Sequence, residues 1–160
     1  MTTTVRKPDK DKAMQKHVGR VLRRLKPYNK LRFLERYAIF MGKVQVVELL
    51  LKQSLVNYRG YALEEVERTP LGGLIRVLKE EKANSLFIFL LEDLNEFRTH
   101  MAHEFLANQI LLRALLGNKT KGYTKPVREL EKALFSVEQF LVNYESVPPQ
   151  FLWKQSKLLK

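Results

Sequence analysis

Apolar residues recur three and four positions apart along most of the chain, the spacing that places them on one face of an α-helix. The clearest stripe predicts a helix from about Lys30 to Asn57, and it comprises Phe33, Tyr37, Phe40, Val44, Val47, Leu51 and Leu55. A second apolar set on this helix, Ile39, Val46 and Leu50, lies off that stripe. The pattern therefore predicts that this helix is covered on two sides, by its own core and by another subunit.

Two further long helices follow from the same spacing. Asn84 or Ser85 is expected to cap one of them, which ends near Asn108. Its apolar face comprises Phe87, Leu90, Leu91, Leu94, Phe97, Met101 and Phe105. Pro126 opens the last long helix, which extends to about Tyr144 and is closed by the prolines at 148 and 149.

Shorter segments connect these helices. Thr69 is predicted to cap a helix that opens at Pro70 and ends near Lys79. The paired glycines at 72 and 73 indicate close approach to a neighbouring helix, because the Lys-Ser/Thr of a phosphate-binding P-loop is missing. Residues 109–116 predict one more short helix, and 117–122 a turn.

With no strand pattern and no internal repeat, the predicted fold is all-α: an antiparallel helical bundle of four to five main helices with a basic N-terminal helical arm. The predicted divisions are an arm at 1–29, a bundle at 30–147 and a basic, aromatic tail at 148–160. Within the arm, residues 1–8 are expected to be disordered, and a helix capped by Asp9 or Asp11 ends at Lys26, before Pro27. In the tail, Phe151, Leu152 and Trp153 either pack back on the bundle or contact a ligand.

Positive charge is concentrated in the arm. The chain carries a net charge of +12, and residues 6–32 hold eleven lysines or arginines against two aspartates. Such a segment attracts phosphate polyanions, which makes nucleic acid, and RNA in particular, the first partner to consider. The expected contacts are Lys16, Arg20, Arg23, Arg24 and Lys26. Acidic lipid, an acidic protein and a merely solvated charge run are the alternatives.

Several classes of protein are disfavoured. The longest apolar run, 86–91, is too short to cross a bilayer, so no membrane partner is expected. The chain has no cysteine for a disulfide or a thiolate metal site, and its N-terminus lacks the apolar segment of a secretory signal. These features predict an intracellular, cytoplasmic protein without a cofactor.

The residues most suggestive of chemistry lie between positions 96 and 104. Arg98 falls within the apolar stripe of its helix, and burial of a guanidinium is costly unless the charge is paired. Arg98 therefore predicts either a buried carboxylate partner, with Glu48 as the candidate, or a functional pocket. His100 and His103 follow within one and a half turns.

The segment Arg98-Thr-His-Met-Ala-His103 resembles the signature of the HEPN superfamily, in which an arginine and a histidine on a long helix are separated by four to six residues. The resemblance implies a bundle of four to five helices, a homodimer, and a metal-independent endoribonuclease of a toxin or RNA-processing type, with a protein antitoxin or regulator as a further partner. It also implies that His103 moves protons and that Arg98 stabilises the phosphorane charge, with Thr99 or His100 in support. On an ideal helix, however, residues five apart point about 140° away from one another.

Other interpretations stay open. Glu96, His100, His103 and Glu104 have the spacing of weak metal ligands on one helix face, although a bundle site draws ligands from several helices. Arg98 could belong to a buried ion pair and His103 to the surface. The protein could also be a non-catalytic module that binds nucleic acid or protein, or a structural dimer whose charges serve solubility. RNA binding, with metal-independent cleavage, is the leading hypothesis.

Overall fold

The computed structural model describes residues 8–105 and 124–153, and within these ranges every regular element is helical, as predicted. Six α-helices pack together: α1 Pro8–Leu25, α2 Phe33–Arg59, α3 Leu63–Val66, α4 Leu71–Glu80, α5 Ser85–His100 and α6 Thr124–Ser146. Lys26–Lys30 and Pro149–Trp153 form 3₁₀ turns, and Met101–Phe105 continues α5 as a π-helical turn. The short helix predicted at 109–116, the turn predicted at 117–122, residues 1–7 and the end of the tail lie outside the described residues.

The predicted apolar stripe of α2 forms one wall of the core. Its five members from Phe40 to Leu55 are buried, and Phe33 and Tyr37 pack partly buried against them. The helix begins at Phe33, later than predicted, because the preceding residues form the 3₁₀ turn and Arg32 is extended. It ends at Gly60, whose φ of +75° is the left-handed conformation that glycine adopts without strain.

Helix α6 lies at the centre of the molecule, where it packs against α1, α2 and α5. Its buried residues include Leu130, Leu134, Val137 and Phe140, and the Phe140 ring meets Phe87 of α5 edge to face with centroids 6.0 Å apart. Each fully buried leucine or phenylalanine contributes about 1.5–3 kcal/mol relative to exposure. The last helix in the sequence is therefore the common surface on which the other long helices assemble.

The entry into α4 differs by one residue from its prediction. Pro70 occupies the N-cap position with φ −74° and ψ 167°, and the Thr69 hydroxyl donates to the Glu65 carbonyl instead of capping the helix. The Leu71 N–H donates to Glu48 Oε1 at 3.1 Å, so a carboxylate from α2 satisfies a free amide of the first turn. A Cβ at Gly72 would lie at an ordinary contact distance of 3.5 Å from the Asn95 side chain of α5, whereas a Cβ at Gly73 would lie 2.7 Å from the Thr69 side chain, so the tight contact at the paired glycines is with the preceding turn and not with a neighbouring helix.

The described part of the C-terminal tail packs on the bundle. Leu152 is buried, and its carbonyl accepts a hydrogen bond from the Asn84 N–H at the start of α5. The Arg59 guanidinium lies 5.4 Å from the centre of the Trp153 ring, a cation–π contact at the end of α2. Of the two uses predicted for this tail, packing is therefore the one observed for Leu152 and Trp153.

A membrane-spanning segment is not found. Among residues 8–105 and 124–153, every helix is too short or too polar to cross a bilayer.

Candidate nucleic-acid interface

The basic helix α1 is fixed along α6. Val21 is fully buried beneath it. Arg20 Nη1 donates to Ser146 Oγ at 2.9 Å, and Arg24 forms an ion pair with Glu145. The helix thus uses a thin apolar edge and two of its cations for docking, and it presents its other cations outward.

A buried carboxylate joins α1, the following turn, α2 and α6. Glu138 is 0% exposed, and its Oε1 accepts the Tyr28 hydroxyl at 2.6 Å and the Lys43 ammonium at 2.7 Å. Glu138 Oε2 lies 3.6 Å from Arg24 Nη1. Because an ionised carboxylate without partners is costly to bury, this cluster holds the docked position of α1 strongly.

Sequence reasoning missed Glu138, although a signal was present. The residue lies between Leu134 and Leu141 on the apolar side of α6, three and four positions away from them. The argument that singled out Arg98, a charge within an apolar stripe, applies equally to Glu138 and would have predicted a buried ion pair there.

The same packing perturbs two tyrosines. Burial raises the pKa of Tyr28 above its ordinary value of 10.0, and the hydrogen bond to Glu138 raises it further. Burial also raises the pKa of Tyr144, against the opposing effect of its hydrogen bond with Ser54. Both phenols are therefore held in their neutral form in the folded protein.

We expect the protein to lose stability above pH 10. A group whose pKa is raised by folding contributes stability that is present below its unfolded pKa, about 10 for tyrosine, and lost as the pH rises through the folded pKa. Phenolate absorbance during a pH titration, followed beside helical circular dichroism, measures both effects. Titration of all six tyrosines together near pH 10, with unchanged helicity, would contradict the expectation.

The outward side of α1 is a row of cations. The exposed cations follow one another at spacings of three and four residues along α1 and into the 3₁₀ turn: Lys12, Lys16, Arg20, which also donates to Ser146, Arg23 and Lys26. Between residues 12 and 32 the sequence contains no acidic residue. Of the five predicted contacts, Arg24 is half-buried and engaged with Glu138 and Glu145, whereas Lys16, Arg20, Arg23 and Lys26 are exposed.

The predicted partner of Arg98 is engaged elsewhere. Glu48 accepts the hydrogen bond from the Leu71 amide in α4. Arg98 itself is half-buried, and among the residues that the structure describes its guanidinium makes no hydrogen bond or ion pair. A buried structural ion pair between Arg98 and Glu48 is therefore not formed.

His100 is brought together with a residue of α6. Its Nε2 lies 3.2 Å from Glu129 Oε2, and a groove between α5 and α6 is lined at this point by Asp93, Glu96, Phe97, His100, Glu129 and Lys132. Arg98 and His103 do not line this groove. The contact with the Glu129 carboxylate fixes the orientation of the His100 imidazole.

The π-helical turn lies between Arg98 and His103. It begins at Met101, whose side chain is fully buried, and the Met101 carbonyl accepts the Tyr37 hydroxyl of α2 at 3.2 Å. Hydrogen bonds from i to i+5 widen a helix, so residues five apart are turned by less than the roughly 140° of an α-helix. The π-helical turn thus begins within the segment in which the Arg98 and His103 side chains would have to converge.

The remaining residues of the motif are accessible. Thr99 and His103 are exposed. In the described ranges, no group of three or more histidine, aspartate or glutamate side chains is arranged to hold a metal ion. The weak metal site that the spacing of Glu96, His100, His103 and Glu104 suggested is therefore not found among the described residues.

Contacts along α6 relate the basic row of α1 to the segment from Arg98 to His103. Arg20 contacts Ser146, Tyr28 contacts Glu138, and Arg36 lies 3.7 Å from Glu131, two residues from the partner of His100. As the chain proceeds from α1 into α2, its contacts thus move from the end of α6 toward its beginning. Between Ser146 and Glu129 this corresponds to about 26 Å along the helix axis.

Comparison of the chain with protein-family models, with curated proteins and with solved structures finds no match. The resemblance to the HEPN superfamily is thus neither supported nor contradicted by relatives, and the functional argument depends on the arrangement of the residues themselves.

Proposed function

We propose that this protein binds RNA through the exposed cations of α1. The observation that carries the proposal is the row that runs from Lys12 along α1 to Lys26 in the following turn, in a stretch of sequence without an acidic residue between 12 and 32, held in place by the buried carboxylate of Glu138. A row of this kind neutralises successive phosphates and releases their counterions, which is the main source of affinity for a nucleic-acid backbone. Because α1 is docked before the ligand arrives, binding does not have to order it.

The test is the salt dependence of binding to a labelled single-stranded RNA. For single strands, the slope of log K against log salt concentration is about −0.7 per neutralised phosphate. Replacing Lys16, Arg23 and Lys26 by glutamine is expected to reduce the slope by about 2 and to weaken binding at low salt. All three side chains are exposed, and none of them pairs with a carboxylate among the described residues.

A second triple variant controls for net charge. Arg68, Arg76 and Lys82 are exposed on the α3–α4 side of the molecule, and their replacement by glutamine removes the same three charges. This variant is expected to retain nearly the whole slope. Equal losses in the two variants would show that the protein attracts RNA by its overall charge and that α1 is not the interface.

A second function, metal-independent RNA cleavage at Arg98 and His103, is favoured by the π-helical turn. Turns of this kind occur frequently at functional sites, and this one lies within the motif that resembles the HEPN signature. The proposal includes an antiparallel bundle of four to five helices, as the resemblance to the HEPN superfamily implies. Contacts with α6 run from Ser146, beside α1, to Glu131, beside the start of α2 and near the partner of His100, and the proposal requires an RNA strand on the basic row to follow this direction.

The two side chains suit different parts of the reaction. Attack of a 2′-hydroxyl on the adjacent phosphate requires a group that accepts and returns a proton near neutral pH, which the exposed His103 imidazole provides. The dianionic phosphorane requires a cation, which Arg98 provides, since its guanidinium forms no ion pair with the residues that the structure describes. His100, oriented by Glu129, is a positioning residue on the next turn.

Incubation of the protein with labelled single-stranded RNA in EDTA tests cleavage directly. We expect products that end in a 2′,3′-cyclic phosphate, because the 2′-oxygen bonds to the phosphorus while the 5′-oxygen of the next nucleotide leaves and takes up a proton. RNA that is bound but stays intact would make the protein a non-catalytic binding module and would remove the second function without affecting the first.

A further inference from the structure

A cavity lies in the groove between α1 and α2, beside the end of α6. Its volume is about 720 Å³, which is within the range of roughly 300–1,000 Å³ that is usual for small-ligand sites. Val46 and Leu50 of α2 line it on one side, and Leu141 and Tyr144 of α6 line it on another. The segment 147–149, a valine and two prolines, lines it where the chain leaves α6. Most of the wall is therefore apolar.

The charged groups at this cavity are already paired. Arg24 and Lys43 line it, and both face the buried carboxylate of Glu138, Lys43 at 2.7 Å and Arg24 at 3.6 Å. Arg24 also pairs with Glu145, which lines the cavity as well. Two cations thus meet two carboxylates, so a ligand with a net charge would have to compete with an existing ion pair. The cavity suits a neutral ligand that has apolar faces and a polar edge.

The cavity is continuous with the basic row of α1. Ser146 lines the cavity, and its Oγ accepts a hydrogen bond from Arg20 Nη1 at 2.9 Å. Arg20 is the middle member of the row from Lys12 to Lys26. Arg24, one helical turn after Arg20, lines the cavity itself. A phosphate bound at the middle of the row therefore lies beside the opening of the cavity.

We propose that this cavity receives an unpaired base of the RNA strand whose phosphates the basic row binds, an inference that rests on the RNA-binding function proposed above. A nucleobase is uncharged and flat, with two apolar faces and an edge of hydrogen-bond donors and acceptors, which are the properties that the cavity selects. Proteins that bind single-stranded RNA hold splayed bases in the same way, against aromatic and apolar side chains.

The aromatic part of the cavity is in place before the ligand arrives. The Tyr144 hydroxyl lies 2.7 Å from Ser54 Oγ and 3.3 Å from the Leu50 carbonyl oxygen, so both contacts hold the ring against α2. The Phe140 ring supports it from within the core, with centroids 6.0 Å apart. Binding of a base therefore does not have to order this side chain first.

The neighbouring cations favour a base over other flat, neutral ligands. A free small molecule gains nothing from the basic row. A base that is joined to a bound phosphate chain, by contrast, is held at a high effective concentration beside the opening. The combination of a neutral cavity and an adjacent row of cations is thus specific to a nucleotide within a strand.

The cavity gives a reason for preferring single strands. A base in a duplex is stacked and paired, and extruding it costs free energy that an unpaired base does not require. The basic row alone attracts the phosphates of either form. Selection for unpaired RNA is therefore assigned to the cavity, and affinity for the backbone to the row.

An abasic strand measures the contribution of the base. A strand of the same length, built from abasic nucleotides, keeps the phosphates and lacks the bases. The wild type is expected to bind the base-containing RNA about fivefold more tightly or better, as stacking of one base usually provides. The salt dependence is expected to be the same for both strands, because the phosphate contacts are shared. Equal affinities for the two strands would overturn the proposal.

A pair of matched variants locates the effect. Val46 is 47% exposed at the wall of the cavity, and Val46→Met adds an uncharged, longer side chain that is expected to fill the opening and remove most of the difference between the two strands. Ala38→Met makes a similar addition at an exposed position of the same helix that does not line the cavity, and it is expected to keep the difference. The same loss in both variants would place the base elsewhere.

Photochemical cross-linking of the wild type tests the position independently of any variant. RNA that contains 4-thiouridine is bound, irradiated and digested, and the adducts are located by mass spectrometry. We expect adducts on Tyr144 or Lys43, which line the cavity. Adducts confined to residues outside the cavity would overturn the proposal.

The variant in which Lys16, Arg23 and Lys26 are replaced by glutamine separates this site from the basic row. It is expected to bind the base-containing and abasic strands more weakly by the same factor, because it removes phosphate contacts only. If it weakened both strands while the wild type bound them equally, the row would stand and the cavity would not. If it weakened neither strand while the wild type still preferred the base-containing one, the cavity would stand without the row.

Discussion

Replacing His103 by alanine is expected to slow RNA cleavage at saturating RNA by about 10²- to 10⁴-fold, the usual contribution of a general acid–base group. The described part of the motif contains two imidazoles, that of His103, which is exposed, and that of His100, which is held by Glu129. Affinity for RNA is expected to be unchanged, because the phosphate contacts lie on α1. Single-turnover rates together with binding isotherms measure the two quantities separately.

His17→Ala provides a matched control. This histidine lies on α1, outside the motif, and its replacement is expected to leave the cleavage rate at saturating RNA within a few-fold of the wild type. Arg98→Lys is informative as well: if Arg98 contributes through its planar guanidinium, lysine is expected to restore only part of the rate that Arg98→Ala loses. Full activity of both His103→Ala and Arg98→Ala would remove the catalytic assignment.

Replacing Glu138 by glutamine is expected to lower the free energy of unfolding by about 3 kcal/mol. Glutamine keeps the shape of the side chain but leaves Lys43 and Arg24 without the buried negative charge that they face at 2.7 Å and 3.6 Å. Lys43 and Arg24 are 27% and 35% exposed, so water compensates for part of the loss, and the effect is at the lower end of that expected for a broken buried pair. Urea unfolding followed by circular dichroism measures it.

Glu145→Gln is the corresponding surface control. Glu145 also pairs with Arg24, but it is 47% exposed, and an exposed ion pair contributes at most about 1 kcal/mol. The two variants differ in burial and share a partner. If both changed the unfolding free energy equally, the cluster around Glu138 would not be the main attachment of α1.

Residue spacing was sufficient to predict the helices, because their stability comes from burying an apolar face. The stripe from Phe33 to Leu55 and the face from Phe87 to Met101 lie toward the core as predicted. The ends of the helices were harder to predict: α2 begins at Phe33 because Lys26–Lys30 form a 3₁₀ turn and the two residues after it are extended. That turn brings Tyr28 to Glu138, a contact between residues 110 positions apart.

The features most relevant to function depend on contacts between distant residues, which spacing does not show. The π-helical turn at Met101 is joined to α2 by the Tyr37 hydroxyl, and neither sequence segment indicates this contact alone. Arg98 was expected to find Glu48, and the capping of α4 by Glu48 could not be inferred because it depends on where the Leu71 amide lies. The apolar residues of α2 that lie off its main stripe, such as Val46, were visible in the sequence, whereas the contacts of its charged side chains with the rest of the molecule were not.

The position of α6 in the sequence has a consequence for synthesis of the chain. Its partners α1, α2 and α5 all precede it, so the residues that anchor α1, Glu138, Glu145 and Ser146, emerge from the ribosome after all three helices. Until they emerge, Arg24 and Lys43 lack the carboxylates that they face in the folded protein, and the apolar sides of α2 and α5 lack their cover. We therefore expect folding to be completed only once residues 138–146 have emerged, and products truncated before residue 138 to depend on chaperones or be degraded.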